Sequence, residues 1–151
     1  MKILTGDLIK LAVKGEFDLI IHGCNCFCTM GAGIAKTIKE KFPEAYRADL
    51  ETEKGARSKL GQISWGETKI ESGTLIIVNG YTQFNWRGRG KKADYDAIRE
   101  VFKKVKQNFS GLRIGYPAIG AGLAGGEWEV ISKIIEEELK GENHIFVEYQ
   151  R

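Results

Sequence analysis

Short apolar runs alternate with longer amphipathic segments along this chain. Runs rich in branched and aromatic residues predict strands at residues 3–4, 19–22, 63–69, 75–79, 113–117 and 145–149. Apolar residues recur at helical spacing over residues 95–109 and 127–139, which predicts two amphipathic helices. A third helix is expected over residues 33–41, and Pro43 is expected to begin a fourth that ends near residue 52.

Strands that alternate with helices are typical of an α/β fold. The run from Leu75 to Val78 is apolar throughout, which indicates a strand covered on both faces of its sheet. We therefore expect a single domain over residues 1–151, folded as a three-layer α/β/α sandwich. Its central sheet is expected to be mixed, mostly parallel and about six-stranded. Ligands of such sheets bind in the crevice beyond the carboxyl ends of the strands.

Composition narrows the class of protein only slightly. The chain has 151 residues, of which 42% are hydrophobic and 28% charged, as in an ordinary globular domain. No apolar run approaches the ~18 residues of a membrane span, and the first residues lack a secretory leader pattern. We therefore expect a cytoplasmic monomer that does not bind a membrane. A net charge of +3 gives no strong nucleic-acid signal but is compatible with a small anionic ligand.

Three cysteines occur at alternate positions, as Cys24, Cys26 and Cys28. They form neither an even disulfide set nor the spacing that zinc sites favour, so neither a metal site nor a cofactor is predicted. Small, soft side chains at the end of a strand are expected to be buried or to face a pocket.

Two glycine-rich segments, residues 31–33 and 117–126, each follow an apolar strand and precede a helix. Amides at the start of a helix lack intrahelical acceptors, and glycine lets an anion approach closely. Together the two segments predict a phosphate or diphosphate site between two loops, although each loop taken alone is also consistent with a simple turn. The chain lacks a P-loop pattern, and its first glycine segment lacks the third glycine of the dinucleotide fingerprint.

Gly6-Asp7-Leu8 and the segments 22–35 and 117–122 form a pattern that resembles the macrodomain family, an ADP-ribose-binding module. The resemblance spans nearly the whole chain. Residues 22–26 are similar to the yeast-type ADP-ribose-1''-phosphate phosphatases, and residues 30–35 to the human terminal ADP-ribose glycohydrolase branch. The resemblance implies a macrodomain-like fold and ADP-ribose or its 1''-phosphate as ligand. ADP-ribosylated macromolecules are the alternative partners.

The resemblance also implies roles for individual residues. Asp7 is expected to accept a hydrogen bond from the adenine amino group, Asn25 to bind the distal ribose, and Tyr149 to lie near the adenine. From the residues alone, a helix N-cap, a turn-forming asparagine and a core tyrosine are the respective alternatives. The complete set of expected ligand-binding residues is Asp7, Leu8, Asn25, Met30, Gly31, Ala32, Gly33, Ile34, Ala35, Ile119, Gly120, Ala121, Gly122, Leu123 and Tyr149.

Catalysis depends on which branch of the family the chain follows. The glycohydrolase branch uses a lysine and an aspartate, and Gln83 and Ala124 stand at the matching positions. A glutamine is not a nucleophilic amine and an alanine transfers no proton, so the lysine-dependent route is disfavoured. We therefore expect an ADP-ribose-1''-phosphate phosphatase. A de-ADP-ribosylating hydrolase with a lysine-independent route and a non-catalytic reader of ADP-ribosylated partners are the alternatives.

His22 and Asn25 are the expected catalytic residues of that phosphatase. The unperturbed pKa of histidine, about 6.5, suits proton transfer, although a buried, structural histidine is the alternative. His144 is expected to be structural or exposed, and three tryptophans are expected to serve packing: Trp65, Trp86 and Trp128. A basic stretch is expected to form a solvated loop, with steering of an anionic ligand as the alternative. Its cations are Arg87, Arg89, Lys91 and Lys92.

Overall fold

The computed structural model describes residues 1–87 and 90–150. Its strands are β1 (Lys2–Gly6), β2 (Leu19–Cys24), β3 (Ile63–Ile70), β4 (Gly73–Tyr81), β5 (Arg113–Tyr116) and β6 (Asn143–Tyr149). Its helices are α1 (Leu8–Val13), α2 (Gly33–Lys41), α3 (Pro43–Leu50), α4 (Tyr95–Phe109) and α5 (Trp128–Glu138), and a 3-10 helix spans Arg57–Lys59. The predicted strands and helices are all present, with ends that differ by a few residues.

The six strands form one mixed sheet in the order β1-β6-β5-β2-β4-β3. Neighbouring strands from β1 to β4 are parallel, and β3 pairs antiparallel with β4. The antiparallel pair follows from chain length, because only two residues separate β3 from β4 and a parallel crossover needs a dozen or more. The predicted mixed, mostly parallel sheet is confirmed.

Helices cover both faces of the sheet. Consecutive residues of β2 point to opposite faces, so Leu19 and Ile21 join the core under α4 and α5, whereas Ile20 joins the core under α1, α2 and α3. All three side chains are fully buried, and each such burial contributes about 1.5–3 kcal/mol before entropy costs. The three-layer α/β/α sandwich is therefore confirmed.

The middle of the sheet determines where a ligand meets the fold. The adjacent strands β5, β2 and β4 run parallel and end at Tyr116, Cys24 and Tyr81. The segments that follow them, including both glycine-rich segments, therefore meet at one edge of the sheet. Within residues 1–87 and 90–150, none of the helices combines the length and the apolar character needed to traverse a bilayer.

Candidate functional site

A cleft of about 710 Å³ opens at the carboxyl ends of β2, β4 and β5, within the size range of small-molecule sites. Both glycine-rich segments line it. The first contributes residues 31–33 together with the flanking Met30, Ile34 and Ala35, and the second contributes residues 117–120 and 122–124. The two segments face each other, since a Cβ built on Gly33 lies 3.8 Å from Cδ1 of Leu123. The expected arrangement of two loops around one cleft is therefore present.

The N-terminus of α2 opens into this cleft. Its N-cap residue, Ala32, has an extended backbone with φ −149° and provides no capping side chain. The amides of the first helical turn therefore lack the usual side-chain acceptor, and the helix dipole places partial positive charge there. A Cβ on Gly31 meets nothing within 4 Å, so the missing side chain leaves open space beside these amides. This geometry suits an anion.

Side chains hold the loop between β2 and α2, residues 25–32, which we call the first loop. Oδ1 of Asn25 accepts a hydrogen bond from the Phe27 amide at 2.8 Å, and Nδ2 donates to Oγ1 of Thr29 at 2.7 Å. Asn25 therefore forms the turn that its alternative interpretation predicts, while it also lines the cleft. Cys28 and Met30 have positive φ angles of 57° and 40°, a conformation that costs free energy in non-glycine residues.

Main-chain bonds and glycines hold the second loop, residues 117–126. The Gly126 amide donates to the Gly120 carbonyl at 2.7 Å, and the Gly125 amide donates to the Gly122 carbonyl at 3.1 Å. Gly120 has φ 76°, a left-handed value that favours glycine. A Cβ on Gly126 would lie 2.6 Å from the Gly120 carbonyl oxygen, so this position has no room for a side chain.

His22 lies in the protein core, outside the cleft lining. Side chains alternate along β2, and His22 points to the same face as Ile20, beneath the helices. Its Nε2 is 2.7 Å from Oδ1 of Asn79, and burial lowers its pKa to about 4. The position of His22 therefore matches the buried, structural alternative and not the expected role in proton transfer.

Asp49, which the sequence analysis did not single out, borders the cleft and is only 1% exposed. Tyr81 donates a hydrogen bond from its hydroxyl to Oδ1 of Asp49 at 2.8 Å. Burial raises the pKa of this carboxyl, whereas the Tyr81 hydrogen bond and the Lys59 charge lower it. A signal was available in the sequence: Asp49 lies four residues after the buried Ala45, so helical spacing places both on the inward face of α3.

The two positions that depart from the glycohydrolase pattern both line the cleft. Gln83 donates from Nε2 to the Asn85 carbonyl at 3.2 Å, and Ala124 contributes a methyl group that is 7% exposed. Burial raises the pKa of the Cys24 thiol well above its ordinary value, so the thiol stays protonated. Five further residues line the cleft although they are not in the expected ligand-binding set: Gly23, Thr29, Thr82, Pro117 and Ala118.

Four expected ligand-binding residues lie outside the cleft lining. Asp7 caps α1, because its Oδ1 accepts from the Lys10 amide at 3.0 Å, as the alternative interpretation predicts. Leu8 is 4% exposed in the core under α1, α2 and α3, and Ala121 packs against the core under α4 and α5. Tyr149 is 67% exposed at the end of β6, so it is not a core tyrosine. Contacts of Asp7 and Tyr149 with an adenine, and of Leu8 and Ala121 with the ligand, stay predictions.

The rim of the cleft carries aromatic and basic side chains. Trp86 lines the cleft and is 41% exposed, so it does more than the packing that we expected. Its ring meets Phe27 at 5.6 Å, and Phe27 meets Phe84 at 5.1 Å. The Arg57 guanidinium lies 4.0 Å from the centre of the Phe84 ring, and that of Arg87 lies 5.0 Å from the Trp86 ring.

The basic stretch, two of the tryptophans and His144 lie in different parts of the fold. Lys92 lines the cleft and Lys91 is exposed, whereas Arg89 falls outside the described residues. Trp128 packs on Phe146 with ring centres 4.5 Å apart, and Trp65, although 41% exposed, packs edge-on against Phe109 with ring centres 5.2 Å apart. His144 is structural, since its Nδ1 is 2.7 Å from the Tyr116 hydroxyl.

The three cysteines are buried as free thiols. Within residues 1–87 and 90–150, no three of the side chains that commonly bind metals come together.

Comparison with known proteins gives three informative relatives. A 17.5 kDa uncharacterized protein of Enterobacteria phage T4 is 34% identical over 141 residues, which covers 90% of this chain and 88% of the relative. A DNA ADP-ribosyl glycohydrolase of Mycobacterium tuberculosis is 26% identical over 85% of this chain, but the match spans only 36% of that longer protein. An ADP-ribose 1''-phosphate phosphatase of Candida albicans is 26% identical over 89% of this chain and 90% of its own.

Solved structures share the fold. A protein of unknown function from Bacteroides thetaiotaomicron has a TM-score of 0.79 at 25% identity and covers 99% of both chains. Thermosipho africanus DarTG, solved in complex with ADP-ribose, has a TM-score of 0.71 at 18% identity over 91% of this chain and 39% of its own. The Macro domain family model matches residues 21–135. This chain therefore belongs to the macrodomain family.

Proposed function

We propose that this protein binds ADP-ribose, with the diphosphate lodged between the two glycine-rich loops. The observation that carries the proposal is the shared cleft, in which the uncapped N-terminus of α2 faces the second loop across Gly33 and Leu123. Glycines at positions 31 and 122 leave open space on the two sides of the cleft, since a Cβ at either meets nothing within 4 Å. Membership of the macrodomain family and the ADP-ribose complex of a fold neighbour support the same ligand.

The reaction that we propose is hydrolysis of the phosphomonoester of ADP-ribose-1''-phosphate. The cleft presents the Gln83 amide and the Ala124 methyl where the resemblance implies the lysine and the aspartate of the glycohydrolase branch. The attack on the anomeric carbon that this branch makes from that position is therefore not available to Gln83. Phosphoryl transfer needs positioning and charge stabilisation more than a protein nucleophile. The Candida albicans relative, which matches 89% of this chain at 26% identity, carries the name of this activity.

Calorimetric titration with ADP-ribose, followed by an assay of phosphate release from ADP-ribose-1''-phosphate, tests the proposal. We expect saturable binding and catalytic release of one phosphate per ADP-ribose formed. Absence of binding would contradict the ligand assignment. Binding without release of phosphate would contradict the phosphatase assignment and favour the non-catalytic reader.

A second substrate class, ADP-ribose attached to nucleic acid, is favoured by the rim of the cleft. Exposed aromatic rings beside guanidinium groups are the combination that binds single-stranded nucleic acid, because rings stack on bases while cations meet phosphates. Trp86 is the exposed ring, and Arg57 and Arg87 lie against the same aromatic cluster. The DNA ADP-ribosyl glycohydrolase of Mycobacterium tuberculosis is a relative, although this chain spans about a third of its length.

The rim can be tested separately from the cleft. Loss of one base–aromatic stack costs about 1–3 kcal/mol, so we expect Trp86→Ala to weaken binding of an ADP-ribosylated single-stranded oligodeoxynucleotide about tenfold or more. The same variant should bind free ADP-ribose within about twofold of the wild type. Trp65→Ala is the matched control, since Trp65 is equally exposed at 41% but lies outside the cleft lining. Equal binding of the oligonucleotide by both variants would contradict the nucleic-acid proposal.

A further inference from the structure

Asp49 places a carboxyl group at the cleft, in addition to the loops that are proposed to hold the diphosphate. Among the described residues that line the cleft, Asp49 alone carries a carboxyl group. The position that holds an aspartate in the glycohydrolase branch is Ala124 here, and His22 lies outside the lining. The titratable side chains at the cleft are therefore Asp49, Cys24 and Lys92.

Asp49 reaches the cleft from beneath the first loop. It lies in the last turn of α3, and its carbonyl oxygen is 3.2 Å from Sγ of Cys28 in that loop. The Tyr81 hydroxyl donates to Oδ1 at 2.8 Å, whereas Oδ2 accepts no hydrogen bond within the described part of the chain. The side chain is thus fixed by one hydrogen bond and keeps one oxygen unused at the border of the cleft.

A cation lies near this carboxyl without pairing to it directly. Nζ of Lys59 donates to the Cys26 carbonyl at 3.1 Å and lies 4.6 Å from the centre of the Tyr81 ring. Lys59 and Asp49 form no ion pair within 4.0 Å in the residues described, so the ammonium group supports the first loop rather than neutralising the carboxylate. A buried carboxyl without a direct counter-charge readily holds a proton.

We propose that Asp49 is the general acid of this cleft, which protonates the leaving sugar oxygen during hydrolysis. The inference rests on the proposed hydrolytic function. In the step, the oxygen of a water molecule forms a bond to phosphorus while the bond between phosphorus and the 1''-oxygen breaks. The electron pair of that bond passes to the 1''-oxygen, which takes the proton of the Asp49 carboxyl. The proton that the water oxygen loses then returns to the Asp49 carboxylate, so the acid is restored and ADP-ribose and phosphate are the products.

The burial of Asp49 and the charges around it are consistent with the role of a general acid. Burial raises its pKa, and this is the largest effect; the hydrogen bond from Tyr81 and the charge of Lys59 lower it. The other titratable groups that face this cluster are the thiols of Cys24, Cys26 and Cys28. Burial raises the pKa values of the Cys24 and Cys26 thiols, which keeps both uncharged. A raised pKa keeps the carboxyl protonated to higher pH than an exposed aspartate, as a general acid requires.

Asp49→Asn is the direct test, because it keeps the shape and removes the transferable proton. The substrate is ADP-ribose-1''-phosphate, whose phosphorus–oxygen bond breaks in the proposed step. We expect kcat to fall about 100-fold or more, while the dissociation constant for ADP-ribose changes less than about threefold. Glu44→Gln on the same helix, outside the cleft lining, is the matched control and should keep wild-type kcat. Wild-type turnover by Asp49→Asn would contradict the acid role alone, whereas absence of phosphate release by the wild type would contradict the proposed phosphatase function as well.

Tyr81→Phe gives a second test that does not depend on how well Asp49→Asn folds. The variant removes the hydrogen bond that lowers the Asp49 pKa, so this pKa should rise. Because activity requires the protonated acid, kcat/KM falls as pH rises through the Asp49 pKa, and this descending limb should move to higher pH in Tyr81→Phe. A merely structural role for Asp49 would leave the limb unmoved, and an unmoved limb would contradict the inference.

Discussion

The two loops that border the cleft are built in different ways. Side chains hold the first loop in addition to the main-chain bonds at Cys26: Asn25 bridges two neighbours, and Lys59 donates from the 3-10 helix to the Cys26 carbonyl. The second loop depends on main-chain bonds between glycines, as between Gly126 and Gly120. We therefore expect the first loop to be disturbed by substitutions that remove polar side-chain contacts, and the second loop to be disturbed by substitutions that add a side chain to a closely packed glycine.

Gly126→Ala should have the largest effect on stability. The added methyl would lie 2.6 Å from the Gly120 carbonyl oxygen and 2.9 Å from Cδ1 of Ile131, so the second loop must shift. Overpacking of this kind costs about 3 kcal/mol, measured as the free energy of unfolding in urea. Gly122→Ala, whose methyl meets nothing within 4 Å, is the control and should be close to the wild type. If Gly126→Ala is as stable as the control, close packing does not define the second loop.

Lys59→Met should be the most damaging change to the supports of the first loop. Lys59 is 6% exposed, and its ammonium group donates to the Cys26 carbonyl. Loss of a hydrogen bond from a charged donor costs about 2 kcal/mol. Hydrogen exchange should then accelerate in residues 25–32 and stay unchanged in residues 117–126. Equal acceleration in both loops would show that the two are not held independently.

Acidification should destabilise the protein through His22, which lies in β2, the strand that leads to the first loop. Burial lowers the pKa of His22 to about 4, whereas the unfolded chain binds this proton near pH 6.5. Well above pH 6.5, His22 is neutral in both the folded and the unfolded chain, so it does not change the free energy of unfolding. As pH falls from about 6.5 to about 4, the unfolded chain binds the proton and the folded chain does not, which lowers the free energy of unfolding. At pH 5.5 this costs about 1.3 kcal/mol. The loss between pH 7.5 and pH 5.5 should shrink by that amount in His22→Gln, and an identical pH dependence in both proteins would contradict it.

Asn25→Ala should have the smallest effect on stability. It removes the bonds to the Phe27 amide and to Thr29 in a half-buried turn, which is worth about 1 kcal/mol. Affinity for ADP-ribose should nevertheless fall, because the turn positions the amides that precede α2. Thermal unfolding and calorimetry on the same sample separate the two effects. Unchanged affinity would show that the first loop keeps its shape without Asn25.

The architecture could be predicted because hydrophobic spacing carries it. Apolar residues at helical spacing gave α4 with its observed bounds, Tyr95–Phe109, and the apolar run through Ile77 gave a strand covered on both faces. Parallel strands bring their carboxyl ends to one edge, so two glycine segments that follow such strands were expected to meet there. Local pattern and strand direction were sufficient for these conclusions.

Side-chain direction at the site could not be predicted in the same way. His22 and Cys24 lie two residues apart on one face of β2, yet only Cys24 borders the cleft, since it stands at the end of the strand. Asp49 comes from a helix that is distant in sequence from both loops, and only packing brings it beneath the first loop. Trp86 follows β4 in a short irregular segment, where no periodicity indicates which side chains face outward.

The central claim is that a diphosphate lies between the two glycine-rich loops, and calorimetric titration of ADP-ribose into wild type, Gly31→Ala and Gly122→Ala tests it most directly. Neither added methyl meets an atom within 4 Å in the protein, so both variants should unfold at the wild-type temperature. We expect each to bind ADP-ribose about tenfold more weakly, because the methyl occupies space that the ligand needs. Wild-type affinity in both variants, or no binding by the wild type, would contradict the account.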